Sequence, residues 1–341
     1  MIILYVFIAI IAFGFLIFIH ELGHFIFAKK FKVAIIEFSI GMGPKLISRV
    51  GKDGIVYSIR LLPLGGYVSM IGEDEDSDNP DSFNKKPAWQ RFIITIAGAI
   101  MNLLVGVIIM IILTASTQRF GTTKISQFSK DSLSSELLMI DDEIIRVGST
   151  RVHTSRELSY EITRKAYKPI NITVIRNGNE VTLANVSFPK IVNEGIAFGG
   201  IDFYVYGEDR TFSTIVKNSF YSCKSTIKMI WDSLYDLLSG RYGVEQISGP
   251  VGVTGAIADA AKNSTYSLFY LIVVISMNLG VFNLLPIPAL DGGSLLMILI
   301  EMVLRRPIPK KIEYGIRAIG FILLMGFAIL VTFKDIIFLF K

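Results

Sequence analysis

The first 28 residues read MIILYVFIAIIAFGFLIFIHELGHFIFA, and they decide how the rest of the chain is interpreted. Residues 1–19 carry no charge, and apolar side chains resume after His20 and Glu21 and continue to Ala28. About 20 such residues are needed to cross ~30 Å of hydrocarbon. The stretch lacks the basic start and the Ala-x-Ala cleavage site of a signal peptide. It therefore predicts a transmembrane helix that carries ionisable groups.

The composition of the whole chain agrees with a membrane protein. Of its 341 residues 52% are apolar and 18% are charged, whereas globular domains have about 25% charged residues. The mean hydropathy is +0.55. These values exclude a disordered chain, and a net charge of +5 is too small to indicate nucleic-acid binding. The single cysteine, Cys223, cannot form an internal disulfide and is expected to be buried.

Three further stretches are long and apolar enough to span a bilayer, namely residues 92–118, 263–290 and 318–333, the last resuming at 336–340. Lys and Arg in short loops favour the cytoplasmic side. Such residues form two clusters, Lys29, Lys30 and Lys32 after the first stretch and Arg305, Arg306, Lys310 and Lys311 before the fourth. Four spans satisfy both clusters if the two termini and residues 119–262 lie outside the cytoplasm.

The regions between the spans predict β structure and one further helix. Short strands are expected at 33–40, 55–62 and 67–71, because β-branched residues alternate there with glycine-rich breaks. Residues 119–190 predict a small α+β domain with strands at 124–128, 142–147, 170–176 and 180–187. In that domain we expect a hairpin turn at Asn177-Gly178 and a helix over Ser155–Arg164 capped by Ser155.

Two other segments have less specific patterns. The acidic run from Glu73 to Asp81 lacks EF-hand spacing, so a solvated linker is favoured over a calcium site. Residues 211–239 have apolar side chains at helical spacing with lysines between them. That helix could lie on the membrane surface or pack on the protein, and packing on the protein is the commoner arrangement.

The chemistry of the chain is concentrated in the sequence His20-Glu21-Leu22-Gly23-His24. In a helix this His-Glu-x-x-His spacing places both imidazoles on one face, where they can bind one zinc ion. Glu21 lies 100° round the helix, close enough to accept a proton from an attacking water. Two structural histidines beside a glutamate at a helix end are the alternative, but ionisable groups in a span are costly and usually functional.

A catalytic zinc needs a third protein ligand and an open fourth position. The best candidate is Asp291, which follows a long apolar run and lies between helix-breaking prolines and glycines in NLLPIPALDGG (283–293). An ordinary loop aspartate is the alternative interpretation. The remaining histidine, His153, falls in the predicted extramembrane domain. Both His20 and Asp291 are expected near the cytoplasmic ends of their segments.

Two amides are also expensive in lipid, Asn102 in the second stretch and Asn283 before the prolines. Each could hydrogen-bond between helices or contact a substrate. Gly98 lies one turn before Asn102, which allows close approach of another helix.

At this point the chain resembles the site-2 protease family of intramembrane metalloproteases, and in particular its bacterial RseP-type members. The resemblance covers nearly the whole chain. It rests on residues 20–24, 38–46, 61–72, Gly98 with Asn102, the sequence Gly249-Pro250-Val251-Gly252, and residues 283–293. Residues 119–190 are similar to a PDZ domain, with Asp141-Asp142-Glu143-Ile144 resembling the Gly-Asp-x-Ile turn of that domain. Asp141, Ala99 and Ser294 depart from the family pattern.

The resemblance implies a multi-pass protein of the cell (cytoplasmic) membrane that is α-helical, with a membrane-associated β-loop and an extracytoplasmic PDZ-like domain. It implies a zinc metalloendopeptidase that acts in regulated intramembrane proteolysis, for example on anti-sigma factors or remnant signal peptides. Glu21 would be catalytic and His20, His24 and Asp291 would bind Zn²⁺, with Asn102 and Asn283 contacting substrate. Its partners would be membrane proteins with a transmembrane helix and the lipid bilayer.

The regions expected on this basis are residues 1–28 (first span), 29–91 (cytoplasmic-side β-loop and acidic linker), 92–118 (second span), 119–190 (PDZ-like domain), 191–248 (β segment and amphipathic helix), 249–300 (third span region), 301–317 (basic loop) and 318–341 (fourth span). A non-catalytic scaffold that binds peptides through the PDZ-like domain is the main alternative. A transporter should show inverted repeats, and none is evident.

Overall fold

A computed structural model describes residues 2–73, 75, 77–193, 195–241, 243, 246–306 and 308–339. The chain forms two compact units, one from residues 1–109 and 244–341 and the other from residues 110–243. The helices are α1 (Ile2–Lys30), α2 (Ala88–Ser116), α3 (Ser155–Lys165), α4 (Phe212–Leu238), α5 (Pro250–Asn263), α6 (Thr265–Leu284), α7 (Asp291–Leu304) and α8 (Lys310–Leu339). The strands are β1 (Ile35–Val50), β2 (Val56–Met70), β3 (Arg119–Phe128), β4 (Glu143–Val147), β5 (Thr150–Arg151), β6 (Ile170–Arg176), β7 (Asn179–Val186), β8 (Lys190–Asn193), β9 (Ile196–Gly199) and β10 (Phe203–Asp209).

Within the described residues four helices are long and apolar enough to cross a membrane, which makes the chain a membrane protein with β-containing parts. The candidate spans are Phe7–Lys30, Ala88–Ser116, Thr265–Leu284 and Lys311–Ile337. Each of them overlaps one of the four stretches found in the sequence. The third span ends at Leu284, six residues before the end of the uncharged stretch at Leu290. The reason is that Pro286 and Pro288 cannot continue the hydrogen-bond ladder of the helix.

The first β segment forms two long strands, and the expectation of three short ones is wrong. Residues 35–40 of β1 pair with 66–70 of β2 on one side and with 56–59 on the other, while residues 45–50 pair with 56–60. The glycines at the predicted breaks, including Gly41 and Gly65 at positive φ, bend the strands without ending them. Residues 66–70 therefore lie at one edge of this small sheet.

Glu37 links the two strands of that sheet through its side chain. Its carboxylate accepts hydrogen bonds from Ser58 Oγ at 2.5 Å and Arg60 Nη2 at 2.9 Å, and Lys45 Nζ lies 3.0 Å away. Burial alone would raise the pKa of Glu37, but the hydrogen bonds from Ser58, Lys45 and Arg60 lower the pKa to about 2. The carboxylate therefore stays ionised at neutral pH and joins β1 to β2.

The start of α5 is held by a side chain from α8. Gly249 occupies the N-cap position and offers no side chain to the free backbone N–H groups of the first turn. Asp335 Oδ2 accepts the Gly252 N–H at 2.8 Å instead. A carboxylate at a helix N-terminus is also favoured by the helix dipole. In the first unit, α5 and α8 thus meet at the sequence Gly249-Pro250-Val251-Gly252.

The second unit contains a sheet with strand order β10-β3-β4-β6-β7, to which β5 adds beside β4. Its core consists of apolar side chains from the sheet and α3, among them Ile125, Ile144, Leu158, Ile162 and Ile172. The Asn177-Gly178 hairpin turn is confirmed, with both residues at positive φ. The N-cap of α3 is Thr154, whose side chain accepts the Glu157 N–H, so the prediction of Ser155 as the cap is wrong by one residue.

The Asp141 position explains one departure from the family pattern. Asp141 has a φ of +72°, a left-handed conformation in which glycine is usual and Asp is among the better tolerated residues. The neighbouring Asp142 is buried and forms a paired contact with Arg176 at 2.7 and 2.8 Å. The turn is therefore preserved without the glycine.

The Asp335 contact generates a prediction about stability. Replacing Asp335 by Ala should lower the free energy of unfolding by about 1–2 kcal/mol, because the first turn of α5 loses a capping acceptor. Thermal unfolding of the detergent-solubilised protein measures the change. Asp335→Asn is the matched control, since its amide oxygen can still accept the Gly252 N–H, and it should lose less. Equal losses in the two variants would contradict the capping role.

Candidate metal centre

The two histidines of the first span point their Nε2 atoms at each other. His20 and His24 lie one turn apart in α1, both are buried, and their Nε2 atoms are 3.2 Å apart. The Nδ1 atom of His24 lies 2.8 Å from the Ile94 carbonyl oxygen. Because a carbonyl only accepts, His24 Nδ1 carries the proton, and Nε2 presents a lone pair.

Asp291 approaches the same point from a different part of the chain. It is the first residue of α7, and its Oδ2 atom lies 3.0 Å from His20 Nε2 and 3.4 Å from His24 Nε2. The loop before it is tight, with Ala289 at a φ of +76°. A Cβ at Gly292 would lie 1.9 Å from the Leu285 carbonyl oxygen, so only glycine permits this turn.

The geometry of these three groups fits a zinc ion. Two ligands bound at about 2.0–2.1 Å in a tetrahedral site lie roughly 3.3–3.4 Å apart, close to the 3.0, 3.2 and 3.4 Å separations seen here. Asp291 Oδ2 is buried and has no hydrogen-bond partner within the part of the chain that the structure describes. Lone pairs from two imidazoles and a carboxylate would repel one another unless a cation joins them. The donor set therefore matches a metal site.

Gly98 of α2 makes room for the two imidazoles. A Cβ built at Gly98 would lie 2.4 Å from His24 Nε2 and 2.7 Å from His20 Cε1. Any side chain at this position would enter the space in front of the histidines. From the spacing of Gly98 and Asn102 we expected another helix to approach α2 closely. In the structure the atoms nearest to Gly98 belong to the side chains of His20 and His24.

Asn102 lies behind His20. Its side chain is 1% exposed, and its Nδ2 atom is 3.5 Å from His20 Nδ1. Its Oδ1 atom has no hydrogen-bond partner among the described residues. A 180° rotation of the amide, which exchanges atoms of nearly equal size, lets Oδ1 accept a hydrogen bond from the His20 Nδ1–H. That arrangement leaves His20 Nε2 free to bind a cation, as the carbonyl of Ile94 does for His24.

Glu21 connects this centre to the small sheet. Its Oε2 atom accepts the backbone N–H of Val68 at 3.3 Å, and Val68 belongs to the edge formed by residues 66–70. Glu21 thus follows His20 directly in the sequence, and its carboxylate contacts the edge of the small sheet. The spacing in the sequence places Glu21 beside His20 but gives no information about Val68.

Asn283 lies elsewhere, in an apolar groove of about 620 Å³ between α6 and α8. Sequence reasoning missed a second amide in the same groove, Asn278, although it falls inside an uncharged stretch where any amide is expensive. Apolar residues form the rest of the groove, including Phe282, Ile287, Pro288, Leu323 and Phe327. His153 lies in the second unit, where its Nδ1 atom is 3.1 Å from Glu157 Oε2.

A small polar cavity lies next to His24 and Asp291 of the candidate metal centre. It has a volume of about 40 Å³ and is lined by His24 and Asp291 together with Arg91, Thr95 and Arg317, among others. This is enough space for at least one water molecule, and the lining supplies the polar partners that a buried water needs.

A His-Glu-x-x-His turn lies in a helix long and apolar enough to span a membrane, and the fold brings the Asp291 carboxylate to that turn. This combination defines a membrane-embedded metallopeptidase. The profile of peptidase family M50 matches residues 8–327, and the chain belongs to that family, the site-2 protease family of zinc metalloproteases. It is 36% identical over 338 residues to a predicted zinc metalloprotease of Clostridium perfringens, covering 98% of this chain and 99% of the relative. The identity is 35% over 337 residues with a similar protein of Fusobacterium nucleatum, covering 96% and 97%. It is 28% over 409 residues with the zinc metalloprotease RasP of Geobacillus kaustophilus, covering 96% of each chain.

The space at Gly98 yields a prediction about metal content. Gly98→Ala should bind less than a tenth of the zinc of the parent protein, because its methyl group would contact both imidazoles at less than van der Waals distance. Metal analysis of the purified protein measures the zinc per chain. Gly106→Ala in the same helix is the matched control, since its Cβ would meet the flexible side chain of Met277. Normal zinc in Gly98→Ala would show that the imidazoles can move aside.

The contact between Asn102 and His20 yields a prediction about zinc affinity. Asn102→Leu should weaken zinc affinity about 10–100-fold, the usual effect of removing the hydrogen-bond partner of a metal-binding histidine. Competition with a chelator measures the affinity. Asn102→Asp retains an oxygen that can accept a hydrogen bond from the His20 Nδ1–H, and this variant should keep most of the parental zinc affinity. If both variants bind zinc as tightly as the parent, Asn102 does not orient His20.

Proposed function

We propose that this chain is an intramembrane protease that cuts peptide bonds within or near transmembrane segments of membrane proteins. The observation that carries the proposal is the meeting of His20 and His24 of a spanning helix with Asp291 of α7. A soluble protease tethered by a helix would carry these residues beyond the span. Here they lie within or directly beside the helices that cross the bilayer.

In this proposal His20, His24 and Asp291 hold the zinc ion, and Glu21 is the general base. Zinc supplies a Lewis acid that lowers the pKa of water and polarises the scissile carbonyl. Glu21 accepts the proton of the attacking water and then delivers a proton to the leaving amine. The small polar cavity lined by His24 and Asp291 offers water a place beside two of the three proposed ligands.

Substrate binding is proposed at two places. A transmembrane helix hides its carbonyl groups in its own hydrogen bonds, so it must unwind before it can be cut. An extended segment could pair with the edge at residues 66–70, which lies beside Glu21, and so replace the lost bonds. The amides of Asn278 and Asn283 face the groove between α6 and α8 and could hold the rest of the unwound backbone.

The proposed topology places both termini and the second unit outside the cytoplasm and the metal centre near the cytoplasmic side. It is supported by Lys29 and Lys30 at the end of α1 and by the basic residues before α8. His20 lies ten residues before Lys30, about 15 Å along the helix. Exposed apolar residues of β1 and β2, including Met42, Ile47 and Leu61, support a membrane-associated sheet.

The second unit is proposed to be a PDZ-like domain that selects substrates. A cavity of about 680 Å³ lies between α3 and β10, lined by Leu158, Ile201, Phe203 and Tyr204 among others. The strand β10 is at the edge of its sheet, and an added peptide strand is the usual mode of binding at such an edge. Anti-sigma factors and remnant signal peptides are the substrate classes that we propose.

Glu21 provides the test of the mechanism. In vesicles, purified Glu21→Gln should cleave a reporter membrane protein with a glycine-rich transmembrane segment at least ~100-fold more slowly, the usual effect of losing a general base. It should still hold about one zinc per chain. Fragment formation and metal content are both measured.

Two other variants make this experiment specific. His20→Ala should lose zinc as well as cleavage, because one of the three ligands is missing. Glu136→Gln changes an exposed glutamate in the second unit and should leave both properties unchanged. A non-catalytic scaffold predicts instead that no fragment forms and that Glu21→Gln is silent. Cleavage by Glu21→Gln at the parental rate would refute the mechanism.

A further inference from the structure

An ion pair joins two helices of the first unit near the candidate metal centre. Arg91 of α2 donates from Nη2 to Oε2 of Glu301 in α7 at 2.5 Å. The two side chains are mostly buried, with exposed fractions of 16% and 10%. The other carboxylate oxygen of Glu301 accepts the N–H of Ile308, two residues before α8, at 3.0 Å. The Glu301 carboxylate is therefore held at both oxygens.

Arg91 lies on the same face of α2 as the residues nearest to the two imidazoles. Ile94 accepts a hydrogen bond from one imidazole, Asn102 lies beside the other, and Gly98 leaves room for both. At 100° per residue all three lie within about 60° of Arg91 round the helix axis. The ion pair thus starts from the side of α2 that faces the candidate metal centre.

Glu301 has the corresponding place on α7. It lies ten residues after Asp291, which is about 15 Å along the axis and about 80° round the helix. Asp291, Ser294 and Ile298 of this face line the small polar cavity beside the candidate metal centre, and Arg91 lines it from α2. The ion pair therefore joins α2 and α7 on the two faces that meet at this cavity.

A contribution to stability does not by itself account for the pair. Removing a guanidinium and a carboxylate from water is costly, and replacing a buried ion pair by apolar side chains of similar volume is often neutral or stabilising. The best-attested use of such buried polar groups is to fix the register of two helices. A shift of α7 by one turn would move Asp291 by about 5.4 Å, out of reach of both imidazoles.

We propose that Arg91 and Glu301 are positioning residues for the metal centre, and that their ion pair sets the register of α7 so that Asp291 reaches the metal ion. The inference rests on the ligand set of the proposed function. His20 and His24 are one turn apart in a single helix, which fixes their spacing, whereas Asp291 depends on how α7 packs. Holding α7 in register before a metal ion enters lowers the free energy needed to order the third ligand.

Zinc affinity of the full-length protein in detergent, measured by competition with a chelator, tests this role. Arg91→Met keeps the length of the side chain but removes its charge. It should weaken zinc binding about 10-fold, the lower end of the range for groups that orient metal ligands. Arg91→Lys keeps the charge without the planar fork and should give an intermediate affinity. With Co²⁺ in place of zinc, Arg91→Met should also change the visible absorption spectrum, which depends on ligand geometry.

The double variant Arg91→Met/Glu301→Met separates positioning from stability. It leaves no buried charge without a counter-ion, so it should unfold at a higher temperature than Arg91→Met. Its zinc affinity should nevertheless stay about 10-fold below that of the parent protein, because two apolar side chains do not fix the register of α7. Parental zinc affinity in the double variant would show that the ion pair serves stability alone and would overturn the inference.

Arg164→Met is the matched control. The Arg164 side chain is 15% exposed and pairs with Asp236 at 2.9 Å between α3 and α4 of the second unit. Removing this pair, of similar burial, should lower the unfolding temperature and leave zinc affinity unchanged. A loss of zinc affinity in Arg164→Met equal to that in Arg91→Met would mean that both report general destabilisation, which also overturns the inference.

Asp291→Ala distinguishes a failure of this inference from a failure of the proposed function. If Asp291→Ala loses zinc affinity and Arg91→Met does not, the ligand set stands and only the positioning role is wrong. If Asp291→Ala binds zinc as tightly as the parent protein, Asp291 is not a ligand, and the proposed metal centre and this inference are both wrong.

Discussion

The structure depends on bringing one carboxylate to two imidazoles inside a membrane. A metal ion is costly to hold at this depth unless its ligands are fixed in advance, because hydrocarbon offers no water to complete a loose site. The chain meets this requirement with a rigid helix for His20 and His24 and a tight loop for Asp291. The proposed third ligand, Asp291, lies 267 positions further along the sequence than His24, so the three side chains meet only in the folded chain.

Much of the surrounding structure follows from that requirement. The prolines that end α6 release the backbone before Asp291, and Gly292 permits the turn that starts α7. Gly98 removes a side chain from the α2 surface that the imidazoles would otherwise meet. Ile94 and Asn102 lie on the far side of the rings, next to the Nδ1 atoms. Small residues and helix breakers, which usually destabilise a helix, are therefore concentrated around His20, His24 and Asp291.

The spans and the central motif could be predicted from the sequence because both depend on local patterns. Uncharged stretches identify the helices, and the spacing of His20, Glu21 and His24 needs only helical geometry. Asp291 was predictable from its unusual flanks. The role of Gly98 and the Val68 contact of Glu21 were not, since they depend on which helix face or strand edge meets the site. Asn278 was overlooked although its amide stands out in an uncharged stretch.

The orientation of α4 could not be read from periodicity alone, since Ile230 is buried but Phe220 is 63% exposed. A helical pattern shows that one face is apolar, but the direction of that face depends on whether its surroundings are protein or lipid. The cap of α3 was misplaced by one residue because Thr154 and Ser155 are both good caps. Likewise, glycines that end strands in many proteins bend them here, since β1 and β2 fold back on each other.

The hydrogen bond between Glu21 and Val68 has a consequence for the order of events in a reaction. One N–H donor cannot fully serve a carboxylate and an incoming peptide carbonyl together. In the proposed mechanism, a peptide strand that paired at this position would compete with Glu21 for the Val68 N–H, and its arrival would free the carboxylate to turn towards water. Substrate docking and activation of the proposed base would then be a single exchange of hydrogen-bond partners, and without substrate the Glu21 carboxylate would stay bound to Val68.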